Sequence, residues 1–207
     1  MILEACVGSL KQAIDAKSKG AHQIELCDRL DLDGTSPSIN TVVEVCKQVQ
    51  IPTKVIVNPK PFDYHYSPGD FEAILTYVQK LNDLPIGGIV FGPLDPKGYP
   101  DLKQISQISE ITKVPITYHK AIDASENISQ STQMLADQGI VQFILSSGGQ
   151  KTAQEGVPLL HEMKSLLQNS TIELIAAGSI TSENLADLHQ QLNLKYYHGK
   201  KIVGNLS

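Results

Sequence analysis

Short apolar segments alternate with longer amphipathic segments along the whole chain. Residues 23–27 (QIELC) alternate polar and apolar side chains, which is the period of a β-strand. Residues 71–81 instead place apolar side chains three and four positions apart, which is the spacing of one face of a helix. These two patterns predict seven helices between eight strands, at residues 2–7, 23–27, 53–57, 87–92, 114–119, 142–146, 172–177 and 194–198.

The alternation of strands and helices predicts the fold class. Buried strands that alternate with helices are typical of a parallel sheet. Eight such units predict an α/β fold, a (β/α)8 TIM-type barrel, that forms a single domain over residues 1–207. The alternative is a doubly wound open sheet, but the chain lacks a GxGxxG turn after its first strand.

Few residues follow the last predicted strand, so we expect the eighth helix to be short or missing. The outer faces of the last and first strands would then be partly uncovered. We expect a partner subunit or a loop of the chain to cover this flank, and a homo-oligomer is one way to do so.

The composition excludes two classes of partner. The formal net charge is -5, so the basic footprint of a nucleic-acid-binding protein is missing. No apolar run reaches the roughly eighteen residues of a membrane span, and the N-terminus lacks a signal-peptide pattern. Three cysteines, an odd number, do not suggest a disulfide framework. We therefore expect a cytoplasmic protein without nucleic-acid or membrane partners.

In such a barrel, functional side chains collect at the carboxyl ends of the strands. The candidate catalytic residues at these ends are Glu4, Glu25, His119 and Asp123. Two carboxylates close together in a partly buried place raise one pKa, so that one can act as general acid or base. Alternatively, the glutamates form structural salt bridges to lysines. His119 could likewise be a hydrogen-bonded residue of the core without a catalytic role.

Two cysteines lie near the ends of the first two predicted strands. Neighbouring parallel strands are about 4.8 Å apart, so Cys6 and Cys27 could bring their sulfurs to one ion. Thiolates prefer Cu(I) or Zn²⁺ to hard cations, so these residues are the candidate metal ligands. The alternative is that they pack as small apolar side chains, as we expect for Cys46.

Polar and glycine-rich turns at other strand ends indicate an anionic ligand. Residues 147–149 could form a backbone nest, and the turn at Gly178 is where barrels often bind phosphate. Tight turns without a ligand are the alternative. The candidate ligand-binding residues are Asn58, Lys60, Lys120, Ser147, Gly148, Gly149, Gly178, Ser179 and His198.

Several segments resemble the CutC family over nearly the whole chain. They are LEACVGS, GAHQIELC with GTSPS, VNPK, DYHYS, IVFGPLD, ITYHKAID, ILSSGG, and AAGSI with the following Asn184. The resemblance implies a TIM barrel associated with copper handling, with Cys6 and Cys27 as copper ligands. The chain departs from the family pattern where Asn58–Pro59–Lys60 replaces an Arg–Pro–Arg segment and where Lys120 replaces an arginine.

Three functions are compatible with these features. The leading one is a cytoplasmic CutC-like copper homeostasis protein that binds and buffers Cu(I) through Cys6 and Cys27. The alternative is an enzyme that acts on a small anionic substrate, phosphate or carboxylate, by acid–base chemistry of Glu25, His119 and Asp123. A binding barrel without turnover is the third option.

Overall fold

The computed structural model describes residues 1–207, and its eight parallel strands close into a barrel. The strands are β1 (Ile2–Val7), β2 (Gln23–Leu26), β3 (Thr53–Ile56), β4 (Gly88–Val90), β5 (Ile116–Tyr118), β6 (Phe143–Ser146), β7 (Glu173–Ala176) and β8 (Tyr196–Gly199). Each strand pairs with the next one along the chain, and β8 pairs with β1. The predicted (β/α)8 TIM-type barrel is therefore confirmed, and the open sheet is excluded.

Seven helices follow the first seven strands. They are α1 (Leu10–Ser18), α2 (Ile39–Val49), α3 (Pro68–Leu81), α4 (Leu102–Ile111), α5 (Ile128–Gln138), α6 (Val157–Leu166) and α7 (Leu185–Leu192). Two short 3-10 helices that the apolar pattern does not predict, Leu30–Leu32 and Lys120–Ala124, lie in the loops after β2 and β5. No helix of the fold combines the length and the apolar character needed to cross a membrane.

Serine side chains cap the N-termini of three helices. Ser9 and Ser38 each accept a hydrogen bond from a backbone amide three residues later, at the start of α1 and α2. Ser67 and Asp70 form a reciprocal capping box at the start of α3, where Pro68 occupies the first helical position. Such caps satisfy amides that the helix itself leaves without acceptors, so these helix starts are readable from the sequence.

Most strands are shorter than their apolar segments. The sequence predicts a strand over residues 114–119, but the strand β5 covers only Ile116–Tyr118. His119 already belongs to the turn that opens the 3-10 helix after β5. The apolar pattern reports burial, whereas the extent of a strand depends on its ladder of hydrogen bonds, so the two bounds differ.

Side chains alternate between two environments along each strand. Ala5 and Val7 of β1 belong to the main apolar core between the barrel and its helices. Cys6, from the same strand, packs with Cys27 and Ile56 in a separate cluster inside the barrel. Because alternate side chains of a strand point to opposite faces, Glu4 enters the barrel together with Cys6.

The flank between β8 and β1 is covered by the chain itself. Residues 200–207 lie across α1, where Lys19 Nζ donates to the Asn205 carbonyl at 2.6 Å and the Ser207 amide donates to Asp15 Oδ2 at 2.8 Å. Ile202 is 1% exposed and belongs to the main core. Residues 200–207 therefore cover part of this flank, while a homo-oligomer stays a prediction.

We predict that Ile202→Ala lowers the free energy of unfolding by about 2–5 kcal/mol, because it leaves a cavity beneath the covering segment. The matched control is Ile14→Ala on α1, since Ile14 is 44% exposed and should change the stability little. Urea unfolding followed by circular dichroism measures both. Equal stabilities of the two variants would show that residues 200–207 do not contribute to the core.

Candidate functional site

A cavity of about 530 Å³ opens at the carboxyl ends of the strands. The candidate metal ligands Cys6 and Cys27 line it, together with the candidate catalytic residues Glu25 and His119. From the candidate ligand-binding set, the structure adds Asn58, Lys120, Gly178, Ser179 and His198 to its walls. Residues from distant parts of the sequence therefore share one cavity.

The two thiols are neighbours at the floor of this cavity. The sulfur atoms of Cys6 and Cys27 are 3.7 Å apart, and neither cysteine is in a disulfide. Cys6 pairs in register with Glu25, and Cys27 lies two residues further along the chain, just beyond the end of β2. Glu25 Oε1 is 3.7 Å from the Cys27 sulfur and completes a group of three potential metal ligands.

The two thiols differ in their acidity. The hydrogen bond from Cys27 and, to a smaller extent, His198 lower the pKa of Cys6 to about 5, against the effect of burial. The same hydrogen bond and burial raise the pKa of Cys27 well above its ordinary value. At neutral pH, Cys6 is therefore a thiolate that accepts a hydrogen bond from the thiol of Cys27.

Glu4 is completely buried and belongs to an ion-pair network with Lys54 and His198. Its carboxylate is 2.9 Å from Lys54 Nζ and 3.0 Å from His198 Nδ1. Burial alone would raise the pKa of Glu4, but Lys54 and His198 lower it to about 2. The lysine nitrogen also lies 4.1 Å from the centre of the Phe143 ring. Glu4 does not line the cavity, and its contacts are those of a structural salt bridge.

Glu25 has the opposite electrostatic state. Burial raises the pKa of its carboxyl to about 8, with further upward contributions from Cys6 and Glu4 that His198 partly offsets. His198 Nδ1 is 3.4 Å from Glu25 Oε2. Burial opposes a charge on His198, but Glu25, Cys6 and Glu4 raise its pKa well above the ordinary value. Glu25 is therefore mostly protonated at neutral pH and could donate a proton, while His198 is cationic.

His119 presents an unsatisfied nitrogen to the cavity. Its Nδ1 atom accepts a hydrogen bond from the Ala121 amide at 3.1 Å, and its buried Nε2 atom has no partner. A side chain at Gly92 would place Cβ 2.5 Å from His119 Nδ1, so only glycine leaves room for the ring. Burial lowers the pKa of His119 to about 4, so the ring is neutral near pH 7.

Asp123 does not line the cavity. Its carboxylate accepts hydrogen bonds from the Ser146 hydroxyl and from the backbone amides of Ser147 and Gly149, both at 2.9 Å. The turn that the sequence suggests as a nest for an anionic ligand therefore binds a carboxylate of the chain itself. Ser147, Gly148 and Gly149 also lie outside the cavity lining.

Asn58 and Lys60 have separate structural contacts. The side-chain nitrogen of Asn58 (Nδ2) donates to the Gly34 carbonyl at 3.1 Å, and its side-chain oxygen (Oδ1) accepts from the Tyr66 hydroxyl. This side chain ties the loop after β2 to the end of β3 at the cavity wall. Lys60 is outside the cavity and pairs with Asp70 at 2.6 Å, so it is not in a position to contact a ligand there.

Several cavity residues are absent from the sequence prediction. They are chiefly Lys151, Lys200 and Lys201, which together with Lys120 we call the lysine rim. Lys200 and Lys201 directly follow β8, so their position after a predicted strand end is a signal that could have identified them. Lys151 lies in the loop after β6, which the sequence pattern treats only as a glycine turn.

A sequence model of the CutC family matches residues 1–203. The chain belongs to the CutC family. A family protein CutC from Enterobacter sp. (strain 638) is 34% identical over 89% of this chain and 74% of its own length. One from Bacteroides fragilis (strain YCH46) is 30% identical over 95% of this chain and 78% of its own. The family resemblance is therefore confirmed.

A solved structure also matches the fold. The CutC protein from Streptococcus agalactiae, whose name assigns it to copper homeostasis, superimposes with a TM-score of 0.90 at 23% sequence identity. The match covers 98% of this chain and 99% of the other. At this identity the likeness shows the shared barrel and not a shared activity.

We predict that His119 makes the folded state sensitive to acid. Its pKa is about 4 when folded, against about 6.5 in an unfolded chain, so between these values the unfolded state binds the proton more tightly. Stability is therefore lost as the pH falls from about 6.5 towards 4. This histidine should account for about 2 kcal/mol of the loss between pH 7 and 4.5.

The measurement is the free energy of unfolding at both pH values for the wild type, His119→Gln and the control His161→Gln. His161 is exposed on α6, so its variant should follow the wild type. His119→Gln should lose less stability on acidification than either. Parallel losses in all three proteins would contradict the neutral, buried state of His119.

Proposed function

We propose that this protein takes part in copper homeostasis and binds Cu(I) as cargo through Cys6 and Cys27. The observation that carries the proposal is the pair of free sulfurs 3.7 Å apart at the floor of an open cavity. Membership of the CutC family and the name of the Streptococcus agalactiae relative support copper as the ion.

The spacing and chemistry of the sulfurs fit a soft ion. Thiolate–metal bonds are about 2.3 Å long, so two sulfurs on one ion are at most about 4.6 Å apart. The observed separation of 3.7 Å fits a bent arrangement with both sulfurs bound. Soft thiolates bind Cu(I) in preference to hard cations, and Glu25 offers a harder third group nearby.

The protonation states of Cys6 and Cys27 determine what happens when the ion binds. Cys6 is already the thiolate, so it provides the first ligand, while Cys27 must lose its proton on binding. Uptake of one ion therefore releases a proton and strengthens with rising pH. Both thiols must stay reduced, which fits a protein that works in the cytoplasm.

We predict that Cys6→Ser combined with Cys27→Ser weakens Cu(I) binding at least about 100-fold, because both thiolate ligands are lost. Cys46→Ser is the matched control, since Cys46 packs on α2 against the main core and away from the cavity. Anaerobic competition with a chromogenic Cu(I) chelator measures the affinities. Undiminished binding in the double variant would disprove this site.

A second function is favoured by the chemistry of the rest of the cavity. The unpartnered Nε2 atom of His119 and the protonated Glu25 are groups that could transfer protons, and the lysine rim would attract an anion. We propose as the second candidate an enzyme that acts on a small anionic substrate by acid–base chemistry. His119 would serve as the base and Glu25 as the acid.

We predict that a panel of small phosphorylated and carboxylated compounds contains one that raises the melting temperature and is converted by the protein. His119→Gln should abolish the conversion but keep most of the thermal shift, because it removes a proton acceptor and not the rim charges. The control His161→Gln should behave as the wild type. NMR of the reaction mixture measures conversion. Binding without any conversion would instead support a binding barrel.

A further inference from the structure

We propose that the cavity takes a phosphomonoester and binds its phosphate between the loops that follow β6, β7 and β8. This inference rests on the second proposed function and names its substrate class. The phosphate site consists of Lys151, Ser179, Ile180 and Lys201, all of which line the cavity. We call these four residues the phosphate end.

The side chains at the mouth of the cavity are mainly positively charged, whereas the whole protein has a negative net charge. The chain carries a formal net charge of -5, yet four lysines surround the mouth and face the single aspartate of its lining, Asp33. Lys120, Lys151 and Lys201 have no carboxylate within ion-pair distance, and Lys200 donates only to the Leu30 carbonyl at 2.8 Å. A cleft with such unpaired charges concentrates anions.

Backbone amides add uncharged donors at the same place. The amide nitrogens of Ser179 and Ile180 donate no hydrogen bond within the chain, although Ile180 is only 1% exposed. Ser179 is exposed, whereas a buried amide such as that of Ile180 normally has an acceptor, so both amides are free to donate to a ligand oxygen. Ser179 has a positive φ of 54° and follows Gly178, whose φ is 103°.

The three loops are tied together before any ligand arrives. The Ala153 amide donates to the Gly178 carbonyl at 2.9 Å, which joins the loop of Lys151 to that of Ser179. The Ser182 amide donates to the Lys201 carbonyl at 3.0 Å, which joins the β7 and β8 loops. A side chain at Gly178 would lie 2.8 Å from Ser147 Cβ, so this close packing requires glycine. Such a fixed arrangement binds with little ordering cost.

The type of cation favours a phosphate over a carboxylate. Arginine binds a planar carboxylate through two parallel hydrogen bonds, whereas lysine acts as a point charge. The only arginine, Arg29, is paired with Asp31 at the surface. Lysines from separate loops suit a tetrahedral dianion, whose oxygens point in several directions.

The end of the neighbouring strand β5 gives the ligand a second polar contact. His119 is 6% exposed and lines the same cavity, and its Nε2 atom has no partner in the protein. Apolar side chains of Ile56, Leu145 and Ala177 also line the cavity. A short carbon chain with a phosphate at one end and a polar group at the other matches this distribution.

The test uses propyl phosphate as the probe, with butyrate and 1-propanol as ligands that lack the phosphate. Isothermal titration at pH 7.5 compares the wild type with the double variant Lys151→Met and Lys201→Met. The control is Lys113→Met, because Lys113 is exposed at the opposite end of the barrel. Both lysines of the double variant are exposed, so the fold should be kept.

We expect propyl phosphate to bind the wild type at least about tenfold more tightly than butyrate, and the double variant to lose at least about tenfold of that affinity. Lys113→Met should bind as the wild type. In ¹⁵N–¹H NMR spectra, propyl phosphate should shift the amide signals of Ser179 and Ile180. Higher salt should weaken binding to the wild type more than to the double variant.

The phosphate end would be disproved if the wild type bound butyrate as tightly as propyl phosphate. It would also be disproved if the double variant bound propyl phosphate as tightly as the wild type. If an anionic compound of the panel is still converted in a manner that depends on His119, the enzyme proposal stands and only the phosphate end is wrong. If none of the anions binds the wild type, both proposals are wrong.

Discussion

Only every second side chain of a β-strand can enter a barrel, and this constraint decides what the interior of the protein contains. On β1 it selects Glu4 and Cys6, and on the segment that begins with β2 it selects Glu25 and Cys27. Apolar neighbours such as Ala5 and Val7 are turned towards the helices. A chain of ordinary composition thereby obtains an interior rich in ionisable groups, while its main core stays apolar.

Those buried ionisable groups depend on one another for their charges. A buried charge is costly unless it is paired, and Lys54 and His198 both pair with Glu4. Glu25 is left with little compensation, so burial raises its pKa to about 8 and keeps it mostly protonated. The cationic His198 then favours a thiolate at Cys6. The acid and thiol chemistry at the cavity floor thus depends on the ion pairs of Glu4.

The cavity has two ends with different chemistry. Its floor provides soft sulfur ligands and a protonated carboxyl group, and its mouth provides cations and unpaired amides. We propose copper binding for the first end and an anionic group of a substrate for the second. Glu25 belongs to both proposals, but the sulfurs belong only to the first and the lysines only to the second, so variants of the cysteines and of the lysines distinguish the two.

Local patterns in the sequence are sufficient for the fold, because strand and helix periods, helix caps and their alternation are all properties of neighbouring residues. They also place Cys6, Glu25 and His119 at strand ends, and the barrel brings these residues into one cavity. The pattern could not show that the amides of Ser147 and Gly149 already bind Asp123, since that contact joins two loops.

Contacts between distant residues were decided only by the tertiary structure. Glu4 and His198 are separated by almost the whole chain, and only closure of β8 against β1 pairs them. Lys54, which is almost completely buried, becomes the partner of Glu4, whereas Lys60 lies outside and binds Asp70. The sequence alone determined which residues alternate into strands and helices. The closed barrel decided which side chains meet, because a pKa, an ion pair or a cavity depends on distances in space.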